Sequence, residues 1–154
     1  MKPIAALALL LAAGSAPALA DAPAAPDGAS LYGRCAACHT ASGAGLPGAF
    51  PALNCDFRMM AARPEGRRYL ALVVMTGLIG PLTVDGQSYR NVMPAQSGLD
   101  AAAVAAVLNH VGTRIAHDGP PFTAFTAAEV AGYAATAPRP GPAELAALHG
   151  RLVP

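Results

Sequence analysis

The residues best suited to chemistry are five in a row, Cys35-Ala36-Ala37-Cys38-His39. Two thiols three positions apart on one helical turn can add to the two vinyl groups on one edge of a haem. The histidine that follows then lies under the iron and can bind it through one ring nitrogen. Two other chemistries use paired cysteines. A zinc site wants a second ligand pair, and the chain offers only Cys55 and scattered histidines. A thioredoxin-like redox pair wants a strand before the motif and a βαβ pattern around it, and neither is visible. The pentapeptide therefore points to one covalent haem c.

A haem iron held by His39 has a sixth position to fill. The side chains that could fill it are Met59, Met60, Met75, Met93, His110, His117 and His149. Met93 lies in Tyr89-Arg90-Asn91-Val92-Met93-Pro94-Ala95, a loop segment in which the following proline keeps the backbone out of helix and lets the thioether project. Met75 falls on a helical face and suits a core. Met59 and Met60 lie close to Pro64 and could pack on a haem edge. The plain alternative for Met93 is a packing methionine. The three other histidines stand alone and suit surface or capping positions. Cys55 has no obvious partner. It reads as a small buried apolar residue, or else as an exposed thiol.

The elements that must position these groups are helical. Asp27 can cap a helix to about Cys35. Thr40 to Leu53 is a loop rich in glycine and proline. Pro64 opens a second helix, which Gly77 can end. Gly80 to Ser88 is again loop, with a small hairpin turn at Val84 to Gly86. Asp100 caps the clearest helix, whose stripe is Val104, Val107, Leu108, Val111 and Ile115. Thr126-Ala127-Ala128-Glu129 is a capping box for a helix to about Ala135. A last turn or two runs from Pro142 to about His149. Strand-like alternation is nearly absent, so the fold class is all-α with much loop.

Taken together, these segments resemble a class I c-type cytochrome. The likeness rests on Cys35 to His39 near the expected mature N-terminus and on Phe50-Pro51-Ala52-Leu53 after the glycine loop. It continues through Gly86 to Ala95 to the Leu99-Asp100 start of a core helix, so it covers about residues 27 to 115. It is especially similar to single-haem modules that accompany bacterial periplasmic dehydrogenases, oxidases and nitrite reductases. The resemblance implies His39 and Met93 as axial ligands on opposite haem faces. It also implies that the Pro51 carbonyl accepts a hydrogen bond from the other nitrogen of His39, fixing the ring; Pro47 is a rival for that contact. Tyr69, Tyr89, Arg67, Arg68 and Arg90 are candidates to reach a haem propionate, with Tyr89 placed beside the Met93 segment. The function implied is single-electron transfer, not catalysis. The alternative is a haem enzyme or gas-responsive protein with an open or labile sixth position.

Composition and the termini set the context. Met1-Lys2, the apolar run Ile4 to Ala16 and Pro17-Ala18-Leu19-Ala20 read as a secretory signal peptide cleaved after Ala20. This gives an expected organisation of signal 1–20, leader 21–26, haem domain 27–118 and a Pro/Ala-rich helical extension 119–154, located in the periplasm. No stretch of the mature chain is apolar and long enough to span a bilayer. Lys2 is the only lysine, and beyond it nine arginines face nine acidic residues. That balance supplies no basic nucleic-acid footprint and no lysine ring to steer docking. The expected partner is a periplasmic or membrane-bound redox enzyme, docked by apolar contact.

Overall fold

The computed structural model describes residues 25–153. The expected signal peptide, Asp21 to Ala24 of the leader and Pro154 lie outside the described residues. The element order is α1 (Gly28–His39), α2 (Phe57–Ala61), α3 (Pro64–Thr76), β1 (Leu78–Ile79), β2 (Leu82–Val84), β3 (Gln87–Tyr89), β4 (Val92–Met93), α4 (Ala101–His110), a π-helical turn (Val111–Ile115), α5 (Ala127–Ala135) and α6 (Pro142–Leu152). The fold is mainly helical, as expected. No helix among these residues is long and apolar enough to cross a membrane.

α1, α4 and α5 begin at residues whose side chains cap them, while α3 and α6 open on Pro64 and Pro142. Asp27 accepts from the Ala29 and Ser30 amides, and Asp100 accepts from the Ala103 amide at 2.8 Å. Thr126 and Glu129 exchange the reciprocal bonds of a capping box. These bonds satisfy amides that the first turn of a helix leaves without partners. α1 runs four residues past the expected end, through the whole Cys-Ala-Ala-Cys-His segment. α6 likewise continues beyond His149 to Leu152. The helix capped by Asp100 changes pitch at Val111, and Arg58 caps its π-helical end by donating to the Gly112 and His117 carbonyls.

The short strands are the main departure from a purely helical reading. β2 and β3 form a hairpin across Asp85-Gly86, with positive φ at both turn residues (48° and 72°). That is the turn a tight hairpin requires. β1 pairs antiparallel with β4, in register Leu78 with Met93 and Ile79 with Val92. Neither pairing shows in the sequence as alternation, because two- and three-residue strands are too short to display a period.

α1 crosses α4 closely. A side chain at Gly28 would collide with the Ala106 carbonyl, so glycine there permits the approach. The C-terminal extension docks on the same body. Asn109 on α4 holds Phe125 by both its amide hydrogen and its carbonyl, at 2.7 and 3.0 Å. Arg67 on α3 forks onto the Glu129 carboxylate at 2.6 and 2.8 Å and lies 3.8 Å over the Phe125 ring. Phe125, Val130 and Leu145 belong to one continuous core with Leu72, Val104 and Leu108. Folding thus brings α6 against α3, β1 and β2.

Candidate haem site

α1 presents Cys35, Cys38 and His39 to a largely apolar slot, with about 1030 Å³ of empty space counting its open mouth. Because the helix persists to His39, the two thiols lie on one turn with the histidine at its end. Thr40 then leaves the helix at φ 64°, and the Tyr32 hydroxyl fastens that corner by donating to the Thr40 carbonyl at 2.8 Å. Burial raises the Cys35 thiol above its ordinary value.

His39 is buried, and its Nδ1 donates to the Pro51 carbonyl at 2.8 Å. The carbonyl fixes the tautomer and leaves Nε2 as the lone-pair nitrogen. Burial lowers the imidazole from its ordinary value, against an opposing contribution from the Pro51 bond. Pro47 takes no part. The loop that carries Pro51 is held by Gly45, which has φ 66°; a Cβ there would stand 2.6 Å from the Pro51 carbonyl oxygen. Its amide donates to the His39 carbonyl. Glycine at 45 therefore lets the two backbones meet where the histidine needs its acceptor.

Met93 lines the same slot from β4. It is not in a free loop, as the sequence suggests. Its backbone is paired with Leu78, the Gln96 amide donates to the Val74 carbonyl, and Asn91 Nδ2 donates to the Ala49 carbonyl across the mouth at 3.0 Å. Gly77 (φ 81°) ends α3 directly beneath this segment, where a Cβ would meet the Met93 carbonyl at 2.6 Å.

Of the other ligand and contact candidates, Met60, Tyr69 and Tyr89 also line the slot, and Met75 does not. Met59 faces outward. The arginines go elsewhere: Arg67 spends its donors on Glu129 and on the Ala61, Thr123 and Ala124 carbonyls, Arg68 reaches the Pro138 carbonyl, and Arg90 is exposed away from the slot. Arg34, Asn91 and Gln96 are slot residues that the sequence reading passed over. His110 packs on the Tyr32 ring and His117 is exposed. His149, expected at the surface or in a cap, is instead buried at 4% exposure in the slot wall beside Asp56. No local signal marks it; its place follows from the path of the extension. Cys55 is half-buried in a bend, with its thiol raised by burial first and then by Asp85, Asp56 and Asp118. A thiol so placed is a poor nucleophile.

The sequence profile of the cytochrome c family matches residues 25–114. The chain belongs to the cytochrome c family. It is 43% identical over 106 residues to a cytochrome c-552 of Thermus thermophilus, covering 68% of this chain and 81% of that protein. It is 42% identical over 126 residues to a second cytochrome c-552, from Thermus thermophilus strain ATCC 27634, covering 80% of this chain and 81% of that protein. As a class I c-type cytochrome this chain holds one covalent haem c and carries electrons. The residues present fit that group. Both thiols open on the slot, its walls are mainly apolar, and a histidine oriented by a backbone carbonyl faces it.

Proposed function

We propose that this cytochrome c uses His39 and Met93 as its two axial ligands and passes single electrons to or from a redox enzyme in the periplasm. The observation that carries the reading is that one slot is lined by both residues, His39 oriented through Pro51 and Met93 held in the β1–β4 ladder. Haem c supplies an iron that alternates between ferrous and ferric. The protein contributes rigidity around it. Nδ1 of His39 stays bonded to Pro51, so the ring cannot turn. The segment that carries Met93 is held at Asn91, Met93 and Gln96, so the thioether keeps its place when the iron changes charge. The apolar walls disfavour the extra charge of ferric iron, and thioether with imidazole raises the potential above that of two imidazoles.

The expected signal peptide supports export, and the lack of a spanning helix among the described residues is compatible with it. Leu46, Ile79 and Val92 stand 55%, 44% and 58% exposed, and Ala37, Ala44 and Ala95 are also exposed. With no lysine beyond Lys2, these exposed apolar side chains support docking by contact, with electron-transfer rates to the partner that change little with salt. The ligand assignment is tested by the far-red absorption band of methionine-ligated ferric haem. The oxidised wild type is expected to show it and Met93→Ala to lose it. A wild type without the band would favour an open sixth position and a haem enzyme or gas-responsive protein.

A further inference from the structure

Two buried side-chain polar atoms have no hydrogen-bond partner among the described residues, His149 Nδ1 and Asp56 Oδ2. Both residues line the haem slot. His149 Nε2 stands 3.0 Å from Asp56 Oδ2, an ion-pair distance, though off line for a hydrogen bond. The Tyr69 ring lies 5.8 Å from the His149 ring, and burial first, then the Asp56 charge, raise its hydroxyl above the ordinary phenol value. That hydroxyl stays a neutral donor. Folded proteins rarely leave buried polar atoms unpaired, and a bound group is one of the few explanations when they do. The nearby amides do not supply the missing bonds, since Asn91 donates to Ala49 and Gln96 to Pro94. α6 packs on α3, β1 and β2, while α1 packs on α4, so this polar patch sits on a different wall from the thiols. A haem carries its two propionate carboxylates on pyrroles other than those bearing the vinyl groups that the thiols attack.

We propose that His149 is a haem-positioning residue: its Nδ1–H donates to a haem propionate while Nε2 stands beside Asp56, with the Tyr69 hydroxyl as a second donor to the same carboxylate. The C-terminal extension thereby completes the haem pocket, beyond packing against it. This inference rests on the covalent haem but not on Met93 as a ligand.

The test uses the holoprotein and four variants, His149→Phe, His149→Gln, His149→Asn and Tyr69→Phe. The readouts are the propionate bending band in resonance Raman spectra and the reduction potential. Asparagine places an amide N–H near the Nδ1 position, whereas glutamine places it near Nε2. Losing the donor leaves the propionate more negative and favours ferric iron. His149→Phe and His149→Gln should shift the band and raise the ferric-to-ferrous ratio at fixed potential by about three- to tenfold, up to roughly 59 mV for a one-electron couple. His149→Asn should retain most of the wild-type values. Tyr69→Phe, which removes one oxygen and little volume, should shift both readouts in the same direction and serves if the His149 variants do not fold. Bands and potentials unchanged across the folded variants, as for a pair satisfied by a buried water alone, overturn the proposal. The far-red methionine band, followed in the same samples, separates this result from a failure of the ligand assignment.

Discussion

Glu129→Gln isolates the ion pair that fastens the C-terminal extension. In the folded chain Arg67 grips the Glu129 carboxylate through two N–H groups, and Tyr133 donates to it at 2.7 Å. The Arg67 bond is the largest cause of a shift that takes this carboxyl from 4.5 to about 2. A shift of that size would correspond to about 3 kcal/mol for a fully buried group. The two side chains are 13% and 24% exposed, so solvent screening reduces the expected contribution to about 1–2 kcal/mol. The sign follows from the direction of the shift. The unfolded chain takes up the proton first, so the contribution is complete above about pH 4.5 and is lost as pH falls toward 2. Guanidinium unfolding of the holoprotein at pH 7 should show Glu129→Gln less stable by about 1–2 kcal/mol. Repeated at successively lower pH, the gap should narrow and close near pH 2. A gap that stays constant with pH would mean that the charge contributes nothing and that the glutamine merely disturbs packing.

Three other outcomes follow from the same geometry. Gly45→Ala should cost at least about 2 kcal/mol, from its positive φ and its collision with Pro51; because it pushes the Pro51 carbonyl off His39, the Soret and haem-ligand NMR signals should shift as well. Leu145→Ala removes a fully buried side chain of α6 and should cost about 2–5 kcal/mol in chemical unfolding. A smaller loss, within about 0.5 kcal/mol, would show the extension unfolding separately. Cys55→Ser should leave the haem spectrum unchanged, since the residue does not line the slot.

What the sequence made legible was local. Cys35 to His39 needs only one helical turn, and Asp27, Asp100 and Thr126-x-x-Glu129 act within three residues of themselves. Both kinds of signal are written in adjacent letters. The Asp85-Gly86 turn is legible for the same reason. The β1–β4 ladder joins residues 78–79 to 92–93 through two short segments with no period, so Met93 reads as loop although the structure pairs it. Arg67 and Arg68 look like propionate candidates because a sequence shows charge but not commitment; the carbonyls and the carboxylate that engage them lie mostly more than fifty positions away.

The three walls of the slot depend on the chain in different ways. The thiol wall is a single helix and stands on local propensity. The methionine wall needs Gly77 to let α3 end against Met93 and needs β1 to accept β4. The third wall, Asp56 with Tyr69 and His149, exists only once α6 has folded back over α3. Damage to the extension should therefore act on the haem through that third wall while leaving the covalent links intact. Arg67 is central to this dependence. It sits two residues from Tyr69 on α3 and ties that helix to the start of α5. Weakening its pair with Glu129 loosens the return path that brings His149 to the slot. The stability series for Glu129→Gln and the propionate signature for His149 thus probe two ends of one physical link, and Glu129→Gln should shift that signature at pH 7, where the pair is fully formed.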